Sequence, residues 1–430
     1  MKMIALLIIF IGSLMASPAH AAGFAVMNES PALLGQAYAG AAATTHDISS
    51  QFFNPATLTA YSTTQISAAT SLLIPSFTAK NFSGTTSALV AATPINGRGY
   101  RGDIVKDIAI PSFYASTPIN PKTVVGVSIT TPWGVTTSYD DTWTGRYYGV
   151  TSALQSLNIT PAIAHKFSDT LSLGAGIQAQ YLDGRLTNAI DCGTLLGAPG
   201  AQDCFANMTG NDWGYGYTIG ALWQPTAGTR LGLSYNSAVK HNVKGNVAYE
   251  LPNQSLAGLL PNGGASLNIA TPATLRLGGE YDVTPEWTVA ASIHRVQWNV
   301  IDTITTRFDS GQADDATPYN WRNTWFTSLG ARFQPGFSSW SYRIGIGFDQ
   351  SPVSNDQSLN VRVPDADRYW IGMGVGYRLS DSVRLDATYM AMWFDAATLH
   401  LRDPGGLKGS LTGQYESYLD IVALRATASF

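Results

Sequence analysis

From residue 63 to the C-terminus, apolar positions alternate one by one with polar or glycine positions. In 171–181, Leu171, Leu173, Ala175, Ile177, Ala179 and Tyr181 are separated by Ser172, Gly174, Gly176, Gln178 and Gln180. A period of two puts the two sets on opposite faces of a strand. The stretch 342–348 repeats the pattern, and in 369–377 Ile371, Met373 and Val375 oppose Gly372, Gly374 and Gly376. Short turn signals at 118–122, 168–170, 224–228, 284–286, 334–336 and 380–382 separate such segments. Between the resulting hairpins lie long connections near 80–107, 133–152, 184–212, 247–271, 309–321, 351–367 and 400–413. Short turns at one end and long loops at the other predict an all-β fold, an antiparallel transmembrane β-barrel.

The pattern predicts fourteen strands: 63–79, 108–117, 122–132, 153–167, 171–186, 213–223, 229–246, 272–283, 287–308, 322–333, 341–350, 368–379, 383–399 and 414–430. An even count lets both chain ends sit on the short-turn side. The last strand alternates up to a terminal aromatic, Phe430, the feature expected to be read by barrel-assembly machinery. A soluble β-sandwich is the competing fold. Strands of about 15 residues with glycine-rich second faces argue against it, because ordinary strands run about 5–6 residues.

The N-terminal sixty residues differ. One Lys precedes an apolar run from Met3 to Met15, and Ala19 and Ala21 flank His20 in a small-x-small pattern. Residues 1–21 therefore read as a signal peptide, too short to span a bilayer. Residues 22–62 carry two capped helix starts, Ser30-Pro31 and Asn54-Pro55, with Leu33, Leu34, Ala37, Tyr38 and Ala41 at helical spacing after the first. This segment is alanine-rich and nearly uncharged, a poor free tail. Eight strands fill their own interior and 16–18 leave an aqueous channel, so an empty fourteen-stranded barrel would leak. Residues 22–62 are accordingly predicted to be a short helical plug (a hatch) in the lumen, with the barrel spanning 63–430. A periplasmic appendage is the alternative.

Composition agrees with an exported membrane protein. Charged residues make up 13%, aromatics 11%, and glycine 42 of 430 positions, against about 25% charged in soluble domains. A net charge of −4 offers no basic surface for nucleic acid. Cys192 and Cys204, the chain's two cysteines, read as a loop-stapling disulfide in an oxidising compartment. Metal-protease, P-loop and serine-elbow patterns are absent. The five histidines beyond the signal, His46, His165, His241, His294 and His400, have no obvious partners, apart from Asp47 beside His46. No enzyme, metal or cofactor is therefore expected. A general porin and an outer-membrane hydrolase remain the competing classes.

Several stretches resemble one family. Ala22-Gly23-Phe24, 35–40, Asn54-Pro55-Ala56, 348–353 and 364–370 are similar to segments of the FadL/TodX outer-membrane transporters for long-chain fatty acids and aromatic hydrocarbons. The resemblance covers essentially the whole mature chain. It implies a Gram-negative outer-membrane protein that passively takes up hydrophobic compounds. An outer groove captures the ligand, an interior pocket receives it, hatch movement releases it, and it leaves sideways into membrane lipid. It also implies a hatch including Phe24, Asn54, Pro55 and Ala56, and a lateral gap at a kink in the third strand, here Thr131-Pro132-Trp133-Gly134. Pro132 lacks the N–H a ladder needs. The resemblance suggests Arg322 and Thr131 as ligand-binding positions, with Asn188 standing where a second basic residue is found and Arg185 nearby as a substitute. Asp349 is expected to point inward and hold the hatch near Asn54. Leu251, Leu256, Leu259 and Leu260 are read as a possible capture surface, and Tyr139, Trp143, Tyr147 and Tyr148 as an aromatic girdle at the membrane surface. A monomer is expected, because a plug closes the lumen without a neighbour.

Overall fold

The computed structural model describes residues 23–97, 102–403 and 405–430; the expected signal peptide lies outside them. Within the described residues the chain closes into an antiparallel barrel of fourteen strands. The first six are β1 (Gln65–Thr85), β2 (Ile108–Asn120), β3 (Thr123–Thr130, resuming at Gly134–Ser138), β4 (Thr151–Lys166), β5 (Leu171–Asp191) and β6 (Asp203–Thr226). Four interrupted strands follow: β7 (Thr229–Asn236 and Val239–Glu250), β8 (Gly263–Thr271 and Thr274–Asp282), β9 (Trp287–Val296 and Thr303–Phe308) and β10 (Asp315–Pro318 and Thr324–Phe333). The circuit ends with β11 (Trp340–Asp349), β12 (Arg368–Arg378), β13 (Val383–Phe394 and Ala397–Asp403) and β14 (Gly409–Ser429). Each strand pairs with the next, and β14 returns to β1 from Gln65↔Ser429 to Thr85↔Ser410. Closure leaves no edge, the condition for a sheet in hydrocarbon.

The alternation lies as its period demands. Leu173, Ile177, Leu277, Ile344, Ile346 and Met373 are exposed on the outer face, whereas Gly345, Gly372, Gly374 and Gly376 are buried. Strands run further than the apolar alternation suggested. β5 and β6 have 21 and 24 residues, although a tilted strand needs only about 9–11 to cross a bilayer. Much of 184–212 and 247–271 is therefore ladder rather than loop. Beyond the lipid, hydrogen bonds continue while the outer face no longer has to be apolar, so the sequence signal fades first. A Cys192–Cys204 disulfide, Cα–Cα 5.7 Å, ties the β5–β6 tip, and Leu256 of the 251–262 loop is buried against it.

Residues 23–61 fill the lumen. Helix α1 (Pro31–Leu34) starts where Ser30 Oγ accepts from Leu33 N at 3.2 Å. It ends after one turn rather than continuing to Ala41, because Ala37 and Tyr38 adopt φ of 53° and 57°. Helix α2 (Ser50–Phe53) leads to Asn54, whose Oδ1 caps a 3-10 helix (Pro55–Ala60) by accepting from Ala56 N at 3.0 Å. The inward glycines make room for this chain. A Cβ at Gly345 would collide with the Gln36 backbone, and one at Gly220 with the Asn54 side chain. Leu33, Leu34, Tyr38, Phe52 and Phe53 pack on Phe326, Trp370, Met390 and Ile421 of the wall. One hydrophobic core of this protein is thus the interface between plug and barrel.

Candidate functional site

β3 breaks at 131–133. Thr130 pairs with Asn158 and Gly134 with Gln155, so β3 takes four steps where β4 takes three. One extra residue is a β-bulge, which bends a strand. Pro132 supplies no N–H to the ladder, and Ser156 patches the gap: Trp133 N donates to Ser156 Oγ at 3.0 Å, and Ser156 N to Trp133 O at 2.9 Å. On the other edge, the β2–β3 ladder stops at Phe113↔Ile129. Beyond it, the N-terminal residues take the edge of β3. Ala25 bridges Trp133 antiparallel, Val26 N donates to Pro132 O at 2.9 Å, and Gly134 N to Phe24 O at 2.8 Å. The lumen segment therefore ends as a short strand laid across the seam where β2 and β3 part.

Phe24 anchors that end. Its ring lies 5.0 Å from Trp298, 5.9 Å from Trp133 and 6.0 Å from Trp321, and it is 3% exposed. Trp298 is placed by the 3-10 turn that interrupts β9, and Trp321 by the break in β10. The Gly23 amide reaches Asp365, a carboxylate that burial pushes up to about 6 against the pull of Arg368.

On the long-loop side of this aromatic cluster lies a cavity of about 140 Å³. One water needs about 10–15 Å³ by this measure, so the space admits on the order of ten non-hydrogen atoms. Phe24, Val135, Leu154, Met208, Ile304 and Val363 give it apolar walls. Its charged lining is Arg362, Lys408 and Asp315. Lys408 Nζ pairs with Asp315 at 2.8 Å. Arg362 is held by neutral acceptors: Thr151 O, Ser152 Oγ, Thr187 O and, through Nη2, Asn188 Oδ1 at 3.1 Å. Among the described residues no carboxylate is in ion-pair contact with it. An apolar pocket with one unpaired cation suits an amphiphile with an anionic head.

The sequence-derived positions fall into separate places. Phe24, Thr131, Pro132, Trp133 and Gly134 meet at the seam, and Asn188 touches the cavity through Arg362. Arg322 is exposed, its Nε 3.3 Å from Ser351 O, and Arg185 is exposed with its Nε on Asn207 Oδ1 at 3.0 Å; neither lines the cavity. Asp349 points inward but pairs with Arg368 at 2.6 Å. Asn54 lies elsewhere, donating to Ala42 O at 2.6 Å and Ala221 O at 2.9 Å on β6, so the expected Asp349–Asn54 proximity does not form. The girdle reading of Tyr139, Trp143 and Tyr147 is also corrected. These rings are buried: Tyr139, stacked on Trp143 at 4.0 Å, forms with it part of a core within the outer loops, and the Tyr147 hydroxyl donates to Asp203. Leu256 packs inward while Leu259 stays exposed.

Arg362, Lys408, Trp298 and Trp321 were missed in the sequence. The signal for Arg362 was present: it sits between Val361 and Val363 in an alternating run inside a long loop.

The sequence profile described as "Outer membrane protein transport protein (OMPP1/FadL/TodX)" matches residues 12–430. The chain is 27% identical over 394 residues to the long-chain fatty acid transport protein of Salmonella typhi, covering 87% of this chain and 88% of that one. It is 26% identical over 406 residues to the protein of that name from Escherichia coli K12, with 87% and 88% covered. Its fold is similar to the crystal structure of a Pseudomonas aeruginosa FadL homologue, with TM-score 0.87, 22% identity, and 95% and 100% of the two chains covered. It is also similar to the Ralstonia pickettii toluene transporter TbuX, with TM-score 0.66, 18% identity, and 93% and 98% covered.

Proposed function

The chain belongs to the OMPP1/FadL/TodX family of outer-membrane transport proteins, and from that premise we propose that it admits long-chain fatty acids by lateral exit through the β2–β3 seam. Membership places it in the outer membrane as a transporter of hydrophobic compounds rather than an enzyme. In this reading a ligand caught between the outer loops enters the cavity, with its carboxylate at Arg362 and its chain against the apolar wall. Unseating of residues 24–26 from β3 then opens the seam toward lipid. The observation that carries the reading is the pairing of Phe24–Val26 with the kinked β3 where β2 has turned away.

Lateral exit also makes energetic sense. Each buried CH₂ of an acyl chain is worth about 0.8 kcal/mol. Passage into the membrane keeps that gain, whereas release into the periplasm forfeits most of it. Thr131 borders the passage, and the hatch turn at Asn54-Pro55-Ala56 stays packed on β4, β5 and β6. Aromatic hydrocarbons are the second reading, favoured by the small apolar cavity and by the toluene transporter among the structural relatives.

The test is uptake of labelled oleate and labelled toluene by a Gram-negative host lacking its own such transporters, with and without this protein. Oleate uptake that disappears when Pro132 and Gly134 are replaced to give a regular strand, with assembly intact, supports the proposal. Normal uptake by that variant rejects lateral exit. Toluene uptake alone moves the substrate to hydrocarbons.

A further inference from the structure

At the short-turn end, below the plug, the lumen opens into a vestibule of about 500 Å³. Arg332 of β10, Arg384 of β13 and Arg425 of β14 line it, and His46 and Asp47 of the plug form its roof. With Arg230 and Arg343 behind them, five guanidinia gather around four carboxylates: Asp47, Glu280, Asp282 and Asp386. Arg230 engages Glu280 at 2.9 Å and Asp282 at 2.6 Å. Asp386 alone serves three partners, Arg343 at 2.6 Å, Arg384 at 3.3 Å and Arg425 at 2.5 Å, and Arg425 also pairs with Asp47.

The cluster is one negative charge short. Arg332 donates through Nη2 to Thr288 Oγ1 at 3.1 Å, its Nε is buried without a partner, and no carboxylate of the described residues lies in ion-pair contact with it. Nε and Nη1 of Arg343 are likewise buried and unpartnered. At the rim, Arg378 and Asp381 add one charge of each sign. His46, 4.0 Å from Glu280, adds no charge: burial, with Arg332, Arg343, Arg384 and Arg230 around it, holds its imidazole well below the ordinary range. An unpaired buried donor is costly, and a planar guanidinium fork matches a tetrahedral oxyanion.

We propose that this vestibule binds a phosphate-type oxyanion from the periplasm, held between Arg332 and Arg384 beneath His46. The inference is independent of the transported substrate. The source is a soluble anion rather than a lipid headgroup, because these side chains face the lumen and the bilayer lies behind the opposite face of the sheet. Bound there, the anion would link plug to wall beside the Asp47–Arg425 pair.

The test is calorimetric titration of inorganic phosphate into the purified, assembled barrel in zwitterionic detergent, with assembly checked by heat-modifiable migration. Saturable binding of one equivalent is expected. Arg332→Gln should weaken it by about tenfold or more, the loss typical of one charge-assisted hydrogen bond. Arg384→Gln serves as a second variant should the first fail to assemble, and Arg322→Gln, on the far outer loop, should bind as wild type does. Absence of saturable binding, or equal binding by wild type and both vestibule variants, overturns the proposal. So does binding of phosphatidylglycerol but not inorganic phosphate.

Discussion

The seam can be probed by removing its anchor. Phe24→Ala deletes a ring that is 3% exposed and contacts three tryptophans. Truncating a buried Phe costs about 3–5 kcal/mol. Here the barrel does not depend on the ring, so the loss falls on the seating of residues 23–26. At the lower bound of about 3 kcal/mol, the ratio of unseated to seated segment rises about a hundredfold. The assay is the labelling rate of a cysteine at Ala25 by a bulky maleimide in the purified barrel, the native cysteines being paired. Ala25 bridges Trp133 when seated, so the rate should follow the unseated fraction. Leu275→Ala, on the outer face, should leave the rate unchanged. Equal labelling in Phe24→Ala and the parent, with both assembled, would refute the idea that this aromatic contact holds the seam closed.

Arg362→Gln should weaken oleate binding by about tenfold or more, since charge-assisted hydrogen bonds contribute about 1.5–3 kcal/mol, while toluene binding stays within error; equal losses would remove its carboxylate role. Glu29 is buried in the plug, and burial lifts its carboxyl from 4.5 to about 7. The seated plug therefore holds the proton more tightly than the unseated one. Seating is firmest below pH 4.5 and weakens as pH rises through 7, by at most about 3 kcal/mol at 1.36 per unit. Labelling of a cysteine at Ala32, buried in the body of the plug, should accelerate from pH 5 to pH 8, and Glu29→Gln should abolish that trend; a flat profile in the parent contradicts it. Gly345→Val drives a side chain into the Gln36 backbone, so assembled barrels should show raised ionic conductance, and unchanged conductance would mean the plug does not set the leak.

The barrel was legible because lipid imposes a rule on every second residue. Ile371, Met373 and Val375 had to be apolar, and Gly372, Gly374 and Gly376 marked where something else pressed against the wall. The plug was legible from its caps, since Asn54-Pro55 and Ser30-Pro31 start helical turns in any context. Its length was not, because Ala37 and Tyr38 are bent into left-handed backbone by contacts with distant strands. The seam could be suspected from Pro132. Its filling by residues 24–26 could not, because strand pairing across a hundred residues leaves no local pattern. The cavity was the least visible part. Arg322 and Arg185 looked like ligands but point outward, while Arg362 and Lys408 arrive from loops whose path depends on tertiary packing.

The contacts also divide the plug into a firmly held body and a lightly held tip. Around Asn54 the segment is fixed by hydrogen bonds from the Asn54 side-chain amide to Ala42 O within the plug and Ala221 O of β6, by the Thr59–Ser172 hydroxyl pair at 2.7 Å, and by the Asp47–Arg425 ion pair. Breaking that ion pair would strand a buried charge, which costs about 3–5 kcal/mol. Residues 24–26 hold β3 by two backbone hydrogen bonds and one ring. Each backbone bond contributes only about 0.5–1.5 kcal/mol net. In the proposed route the lightly held tip, which pairs with β3 at the seam, leaves while the body stays seated. Phe24 lines the cavity, so in the proposed route a ligand entering it would meet the side chain that seats the tip, and occupancy would be coupled to unseating there without any rearrangement of the body of the plug.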